Sequence, residues 1–195
     1  MAKVLELRPR AQEEFTSSLG MIVFLASWAM MFCALFFAYG FARTRAGAWP
    51  PPGMPRLPLA VPALNTVVLI ASSLVFRRGL ALLRAARRRA FAGAVAGTFA
   101  LGAAFLALQF SVWISLWQGG FTVRSGGIYS SIFYALTAFH ALHVAVGLLI
   151  LLYVLLRTAQ GKYTEHNHVN VRLCTMYWHF VDVVWVLMFL TLYVL

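Results

Sequence analysis

The sequence predicts an all-α polytopic membrane protein, a bundle of five transmembrane helices that forms a single membrane domain over residues 1–195. Two observations indicate this fold class. Hydrophobic residues make up 62% of the 195-residue chain and charged residues only 11%, whereas a soluble domain is about 45–50% apolar. Five apolar runs also reach the roughly 20 residues that a helix needs to cross a hydrocarbon core of about 30 Å.

The five predicted helices alternate with segments that favour loops. The helices lie near residues 17–42, 60–83, 91–117, 128–156 and 172–195. The first gap, ARTRAGAWPPPGMPRLP, is rich in proline, and the second, RRGLALLRAARRR, is basic. The remaining gaps, QGGFTVRSGG and TAQGKYTEHNHVN, are polar and contain glycine. The N-terminal stretch MAKVLELRPRAQEEF has no short apolar core with a cleavage site, so we expect no signal peptide.

The distribution of basic residues predicts the orientation in the membrane. The chain carries 16 Lys and Arg against 5 Asp and Glu. Because the basic residues cluster between apolar runs, this charge favours a membrane topology signal over nucleic-acid binding. With the N-terminus in the cytoplasm, twelve basic residues lie inside and four lie outside: Arg43, Arg45, Arg56 and Arg124. The predicted orientation therefore places Leu195 at the outer face.

The last apolar run contains two ionisable residues, His179 and Asp182, between Trp178 and Trp185. Their i, i+3 spacing places both on one helix face. Such a pair fits either a proton relay or redox-metal ligand set, or a polar clamp that holds neighbouring helices or a lipid headgroup. The clamp is favoured, because polar contacts between helices commonly hold membrane bundles together.

His140 and His143 in the fourth run also share a face. Two such histidines could ligate a metal or haem, but a metal site needs further ligands and supporting contacts. Since no ligand pattern recurs along the chain, we expect no metal site and favour structural or lipid-headgroup contacts. Cys33 and Cys174 lack the spacing of a zinc or redox motif and are expected to be buried thiols.

Two further patterns concern the surfaces of the predicted helices. The basic gap RRGLALLRAARRR suits a docking patch or an anionic-lipid site as well as a topology signal. Small residues in the third helix allow another helix to approach closely. They are Ala92, Gly93, Ala96, Gly97, Gly102, Ala103 and Ala104.

Five motifs in chain order resemble subunit III of the haem–copper terminal oxidases, the family of cytochrome c oxidase and the related quinol oxidases. They are FLASWAMMFCALFFAY, WPPPGMPRLPLAVPALNT, FLALQFSVW, GGIYSSIFYALTAFHALHVAVG and NHVNVRLCTMYWHFVDVVWVLMF. They cover almost the whole chain, and YWHFVDVVW, the T-x-F-H-x-L-H-V-x-x-G string and the WPP…LNT order are specific when taken together. The resemblance is to the five-helix bacterial form.

The resemblance implies an accessory subunit with no catalytic residues, metal ligands or redox cofactor of its own. Haems and copper are expected in partner chains, namely subunits I and II, with a small subunit IV as a further candidate partner. The family stabilises the catalytic subunit, supports proton uptake and holds phospholipids, here expected to be anionic. The implied location is the bacterial inner membrane, and no nucleic-acid partner is expected.

The resemblance also assigns candidate roles to residues. At a lipid or subunit interface we expect His140, His143, His179, Asp182, Trp178, Trp185 and Arg172. His166 and His168 are candidates for buffering protons at the inner surface, because histidine titrates near neutral pH.

The chain departs from the family pattern in three places. Trp28 stands where the family commonly has a buried glutamate, and Val112 replaces a second frequent carboxylate three residues after Gln109. A proton-handling role for these glutamates therefore does not carry over. The chain also starts at the family's third helix, so we expect helices of subunit I or of a small separate subunit to fill the place of the first two.

Three other interpretations remain open at this stage. The chain could belong to a quinol oxidase or nitric oxide reductase complex, which a copper domain in the co-purified second subunit would argue against. It could be an independent haem or metal enzyme that uses His140, His143 and His179, in which case the isolated chain would hold the cofactor. A transporter would show internal repeats and broken helices, and no convincing repeat is found.

Overall fold

Five long α-helices form the computed structural model, which describes the backbone of residues 2–164 and 167–195 and the side chains of residues 12, 14–164 and 167–195. The helices are α1 (Ala2–Arg45), α2 (Ala60–Arg84), α3 (Arg88–Gln118), α4 (Gly127–Ala159) and α5 (Val169–Phe189). A wide π-helical turn, Leu190–Val194, continues α5. All five are long and apolar enough to cross a membrane, which confirms the predicted fold class.

Four of the predicted apolar runs lie within these helices, and the fifth, 172–195, continues past the end of α5 through the π-helical turn to Leu195. α1 begins fifteen residues before the predicted run at residue 17, and α3 and α4 add a few residues at each end. An apolar run marks the part of a helix in hydrocarbon, whereas the backbone hydrogen bonds can continue through charged residues at the membrane surface.

α5 occupies the centre of the bundle and packs against α1, α2 and α4. Its buried residues point in several directions, among them Val171, Tyr177, Trp178, Val184 and Trp185. α2 and α3 form a tight antiparallel hairpin, and α4 packs beside α3. The aromatic side chains of α5 therefore reach into the middle of the structure.

α1 lies at the periphery of the bundle, where it contacts α4 and α5. The side chains described as buried in this helix are Phe32, Tyr39 and Ala42. Cys33 is exposed, so its predicted burial is wrong, whereas Cys174 is buried as expected. Apolar composition alone misled this prediction, since a helix that packs along one narrow face leaves most of its apolar residues outside.

Two glycines set the distance of α3 and α4 from α5. A Cβ atom on Gly102 would lie 2.7 Å from Cη2 of Trp178, and one on Gly147 would lie 2.8 Å from Cζ3 of the same indole. Real Cβ atoms essentially never come this close. The Trp178 ring therefore fills space that two missing side chains leave open, on two different helices.

Gly102→Ala should lower the free energy of unfolding by roughly 1–3 kcal/mol, as expected for overpacking a well-filled core. Gly93→Ala in the same helix is the matched control, because a Cβ there meets nothing within 4 Å. Denaturant unfolding of the purified protein in mixed micelles measures both. Equal stability of the two variants would contradict the close contact of Trp178 with α3.

Candidate functional site

Three side-chain hydrogen bonds join α2 and α5 along one line, which we call the hydroxyl seam. They pair Trp178 Nε1 with Ser72 Oγ at 3.0 Å, His179 Nδ1 with Ser73 Oγ at 2.9 Å, and Trp185 Nε1 with Thr66 Oγ1 at 3.0 Å. The two tryptophans lie seven residues apart, which is two turns of an α-helix. The seam therefore follows the two antiparallel helices through the membrane-spanning region.

The hydroxyls of the seam also hydrogen-bond within their own helix. Ser72 Oγ donates to the carbonyl of Leu69 at 2.7 Å, and Thr66 Oγ1 donates to the carbonyl of Pro62 at 2.9 Å. Ser72 and Thr66 thus each donate one hydrogen bond and accept another from an indole N–H, whereas Ser73 pairs with His179 Nδ1. This arrangement gives the buried polar atoms hydrogen-bond partners, which lipid cannot provide.

Three ionisable groups, His179, Asp182 and Arg77, lie along or near the seam. Asp182 is one turn beyond His179, and its carboxyl group interacts with Ser73. The Oδ1 atom of Asp182 is buried and has no hydrogen-bond partner among the described residues. Arg77, one turn from Ser73 on α2, is close enough to His179 for a Coulomb interaction. His179 thus faces α2, where it is hydrogen-bonded to Ser73 and lies near the charge of Arg77.

His140 packs among aromatic rings at the centre of the bundle. Its ring centroid lies 5.3 Å from that of Trp185 and 5.8 Å from that of Phe105. The side chain is 1% exposed, and neither ring nitrogen has a hydrogen-bond partner within the described part of the chain. The surroundings of this imidazole are therefore those of an aromatic core residue.

His143 links α4 to both α1 and α5. Its Nδ1 lies 2.6 Å from the carbonyl oxygen of Phe139, so this nitrogen carries the proton and donates it. The Trp28 ring of α1 lies edge to face against the imidazole at 4.2 Å between centroids. The backbone carbonyl of His143 accepts a hydrogen bond of 2.9 Å from the Tyr177 hydroxyl.

Over the residues that the structure describes, no three His, Cys, Asp or Glu side chains lie close enough together to hold a metal ion.

Polar contacts fasten the two ends of α1 to α5. Near the start of α5, Arg172 donates hydrogen bonds to the backbone carbonyl of Glu14 at 3.0 Å and to Ser18 Oγ at 2.6 Å. Its guanidinium also lies 3.5 Å from the Glu14 carboxylate. At the other end, Arg43 donates to the backbone carbonyl of Leu195. The two contacts show that α1 and α5 run in the same direction.

The loop between α4 and α5 contains the histidines predicted to buffer protons. His168 is half-buried and is the N-cap residue of α5. Its carbonyl oxygen accepts a hydrogen bond of 3.0 Å from the backbone N–H of Arg172. His166 lies outside the described residues. Burial raises the pKa of the Tyr163 phenol in the same loop.

Comparison with known proteins identifies the family. The profile of the family described as cytochrome c oxidase subunit III matches residues 12–195. The chain belongs to this family.

Individual relatives are similar along most of the chain. It is 40% identical to cytochrome c oxidase subunit 3 of Synechocystis sp. over 177 residues, which cover 90% of this chain and 74% of that relative. It is 38% identical to that of Thermostichus vulcanus over 91% of this chain and 86% of the relative. The platypus protein, from Ornithorhynchus anatinus, is 37% identical over 89% of this chain and 67% of its own length.

Trp28 and Val112, at the positions where the resemblance led us to expect a glutamate, both lie in apolar surroundings. Trp28 packs on His143 and Phe24, with 6.0 Å between the Trp28 and Phe24 centroids. Val112 is 3% exposed and belongs to the apolar core. Packing surfaces therefore occupy both positions, and neither places a carboxylate inside the bundle.

The sequence patterns indicated Trp178, His179 and Trp185 but not their hydrogen-bond partners on α2. These partners are Ser72, Ser73 and Thr66. Asn65 was missed as well, and its Nδ2 lies 3.4 Å from Oε1 of Gln109 across α2 and α3. The sequence feature that could have indicated them is the spacing of Thr66 and Ser73. Seven residues place their two hydroxyls on one helix face, two turns apart.

Ser72→Ala and Trp178→Phe should show a coupling free energy of about 0.6 kcal/mol, the average found for hydrogen bonds between transmembrane helices. A double-mutant cycle on unfolding free energies measures this coupling. The control pairs Trp178→Phe with Ser111→Ala, since Ser111 is exposed and bonds the carbonyl of Leu108 in its own helix. Coupling of equal size in the control would contradict a direct Trp178–Ser72 bond.

Arg172→Gln should loosen the first membrane turns of α1, because the side chain would no longer reach both Glu14 and Ser18. Hydrogen–deuterium exchange of residues 14–20 should become faster, by roughly fivefold or more. Arg157→Gln is the matched control, since Arg157 bonds Tyr153 within α4. Unchanged exchange in Arg172→Gln would show that α1 is held without this contact.

Proposed function

We propose that the chain is the subunit III of a respiratory cytochrome c oxidase, an accessory subunit that stabilises the catalytic subunit and retains phospholipids. Haems and copper are then bound by subunits I and II. In this proposal the chain lies in a bacterial inner membrane with its N-terminus in the cytoplasm. Family membership and the excess of Lys and Arg on one side support these assignments.

A stripe of small exposed residues on α3 carries the proposal, while the large exposed side chains of this helix, Phe110, Ile114 and Trp117, lie towards its C-terminal end. This small face contains Gly93, Ala96, Ala100, Ala104, Ala107 and Ser111, all exposed and spaced three or four residues apart. Other exposed faces carry large apolar side chains, such as Phe37 on α1, Leu149 on α4 and Val183 on α5. Small residues let a neighbouring backbone approach closely in lipid. The small face therefore supports a contact of α3 with a transmembrane helix of the catalytic subunit.

The contacts of the two α4 histidines support an accessory role without a redox group. The His140 ring is enclosed by aromatic side chains, and the His143 ring packs on Trp28. One nitrogen of His143 is engaged with its own helix. Both imidazoles thus contribute to helix packing, which an accessory subunit needs.

Lipid retention finds support in an apolar slot between α1 and the α4–α5 pair. Its volume is about 80 Å³, and it is lined by Phe24, Trp28, Leu142, His143, Val146 and Tyr177. A slot of this size suits part of an acyl chain. We therefore expect a phospholipid tail to lie beside Trp28.

Affinity purification of the tagged chain in mild detergent tests the proposal. We expect haem absorption and a larger catalytic subunit to accompany the wild-type chain. Ala100→Leu/Ala104→Leu should lower the recovery of haem at least about tenfold, because two added side chains separate the helices. Ala34→Leu/Ala38→Leu is the matched control, with exposed alanines at the same spacing on α1.

Two results would contradict the proposal. A haem or metal that stays with the chain after separation in harsh detergent would make it a cofactor protein in its own right. Equal loss of the catalytic subunit in both double variants would remove the small face of α3 as the specific contact.

A further inference from the structure

Three polar side chains from α2, α3 and the π-helical turn meet within the bundle, and we call this group the amide cluster. Asn65 lies in the second turn of α2 and is fully buried, and Gln109 of α3 is 1% exposed. Their amides face each other, with Asn65 Nδ2 3.4 Å from Gln109 Oε1. Tyr193 belongs to the π-helical turn that continues α5, and its hydroxyl interacts with the Gln109 amide. The cluster therefore joins three separate segments of the bundle.

One atom of each side chain in the amide cluster needs a further hydrogen-bond partner. Over the part of the chain that the structure describes, Asn65 Oδ1, Gln109 Nε2 and the Tyr193 hydroxyl are buried and have none. The Tyr193 hydroxyl thus lies near the Gln109 amide without reaching hydrogen-bonding geometry. Buried polar atoms in folded proteins nearly always find a partner in the protein or in ordered water. The cluster therefore requires a hydrogen-bonding group that the three side chains do not give one another.

The chemistry of the three atoms indicates what this group is. Asn65 Oδ1 is an acceptor, Gln109 Nε2 is a donor, and the Tyr193 hydroxyl is both. Turning both amides over exchanges their roles and again leaves one donor and one acceptor. Amides and a phenol carry no charge at neutral pH, which argues against a buried ion as the ligand. Because both amides are buried, a lipid headgroup does not reach them, whereas a water molecule matches a donor and an acceptor at once.

The π-helical turn and two aromatic rings hold Tyr193 at the amide cluster. The backbone N–H of Leu195 bonds to the carbonyl of Leu190 at 2.9 Å, which is the wide i→i+5 pattern of a π-helix. The phenol ring packs against Phe189 and Phe133, with centroid distances of 6.0 and 6.1 Å. π-Helical turns are rare and are frequently found at functional sites. The position of the hydroxyl is therefore fixed by its surroundings.

We propose that the amide cluster binds one water molecule, which bridges Asn65, Gln109 and Tyr193 and so links the end of the α5 segment to α2 and α3. Buried waters typically make about three hydrogen bonds to otherwise unpartnered polar groups. Asn65 lies five residues after the start of α2, about 8 Å along the helix, so bulk water at this end of the bundle is near. The site does not depend on the proposed function, because it needs no partner subunit.

Hydroxyl-radical footprinting of the purified full chain in mixed micelles tests the site. A millisecond X-ray pulse generates radicals from water, bound water included, and tyrosines beside that water gain oxygen, which tandem mass spectrometry locates. Tyr177 is the matched reference for Tyr193, since both hydroxyls are buried and that of Tyr177 already bonds to the carbonyl of His143. We expect oxygen uptake at Tyr193 to be at least about fivefold faster than at Tyr177.

Two variants remove the partners of the water while keeping Tyr193 in place. Gln109→Met keeps an unbranched side chain of similar length but has no amide, so uptake at Tyr193 should fall to the slow rate of Tyr177. Asn65→Leu should have the same effect from α2. Ser111→Ala, at an exposed position of α3, is the control and should leave uptake at Tyr193 unchanged. Slow uptake at Tyr177 shows in each case that the variant is folded.

Two results of the footprinting would overturn the site. Uptake at Tyr193 in wild type that is as slow as at Tyr177 would show that the three side chains bond one another directly. Fast uptake that persists in both variants while Tyr177 stays slow would place bulk water, and not a held molecule, at Tyr193. If both variants loosen the bundle, a crystal structure of wild type at a resolution that shows ordered water decides the question. Density for a water within hydrogen-bonding distance of Gln109 Nε2 would support the site, and direct contact of the phenol with the amide would overturn it.

Discussion

The structure depends on the position of one indole, that of Trp178 in the central helix. Its N–H bonds Ser72 of α2, while its ring lies against Gly102 of α3 and Gly147 of α4. Helices in lipid gain little from the hydrophobic effect and associate through close packing and hydrogen bonds. A single side chain of α5 therefore determines how closely three other helices approach, and the two glycines matter because they leave room for it.

The same constraint explains why the polar residues of the bundle follow the α2–α5 contact. An indole N–H in the bundle needs an acceptor, and a lone hydroxyl in lipid needs a partner for its own hydrogen. Ser72 and Thr66 meet both requirements at once by donating to their own helix and accepting from a tryptophan. His140 differs from these residues, because aromatic rings and not hydrogen-bond partners surround its imidazole. Side-chain hydrogen bonds thus join α5 to α2, whereas the α4 side combines ring packing with the hydrogen bond from the Tyr177 hydroxyl to the His143 carbonyl.

Sequence patterns predicted the parts of this structure that depend on local composition. The five apolar runs predicted the fold class, and the five motifs in chain order indicated the family. The partners of Trp178 and His179 could not be predicted, because Ser72 and Ser73 lie 106 residues away in sequence and only the packing of α2 on α5 brings them together. Cys33 was misjudged for a related reason, since its exposure depends on which narrow face of α1 meets the bundle.

The two apolar replacements follow from where α1 and α3 stand in this arrangement. Trp28 lies between α1 and His143, at a contact that holds a peripheral helix to the bundle. A glutamate there would place a carboxylate beside the apolar slot, whereas the indole supplies contact area to a helix that buries few residues. Val112 likewise fills the core on the inner face of α3, opposite the small face. In this chain both positions therefore serve helix packing, and the carboxylate of Asp182 lies instead beside the hydroxyl seam, near Ser73 and His179.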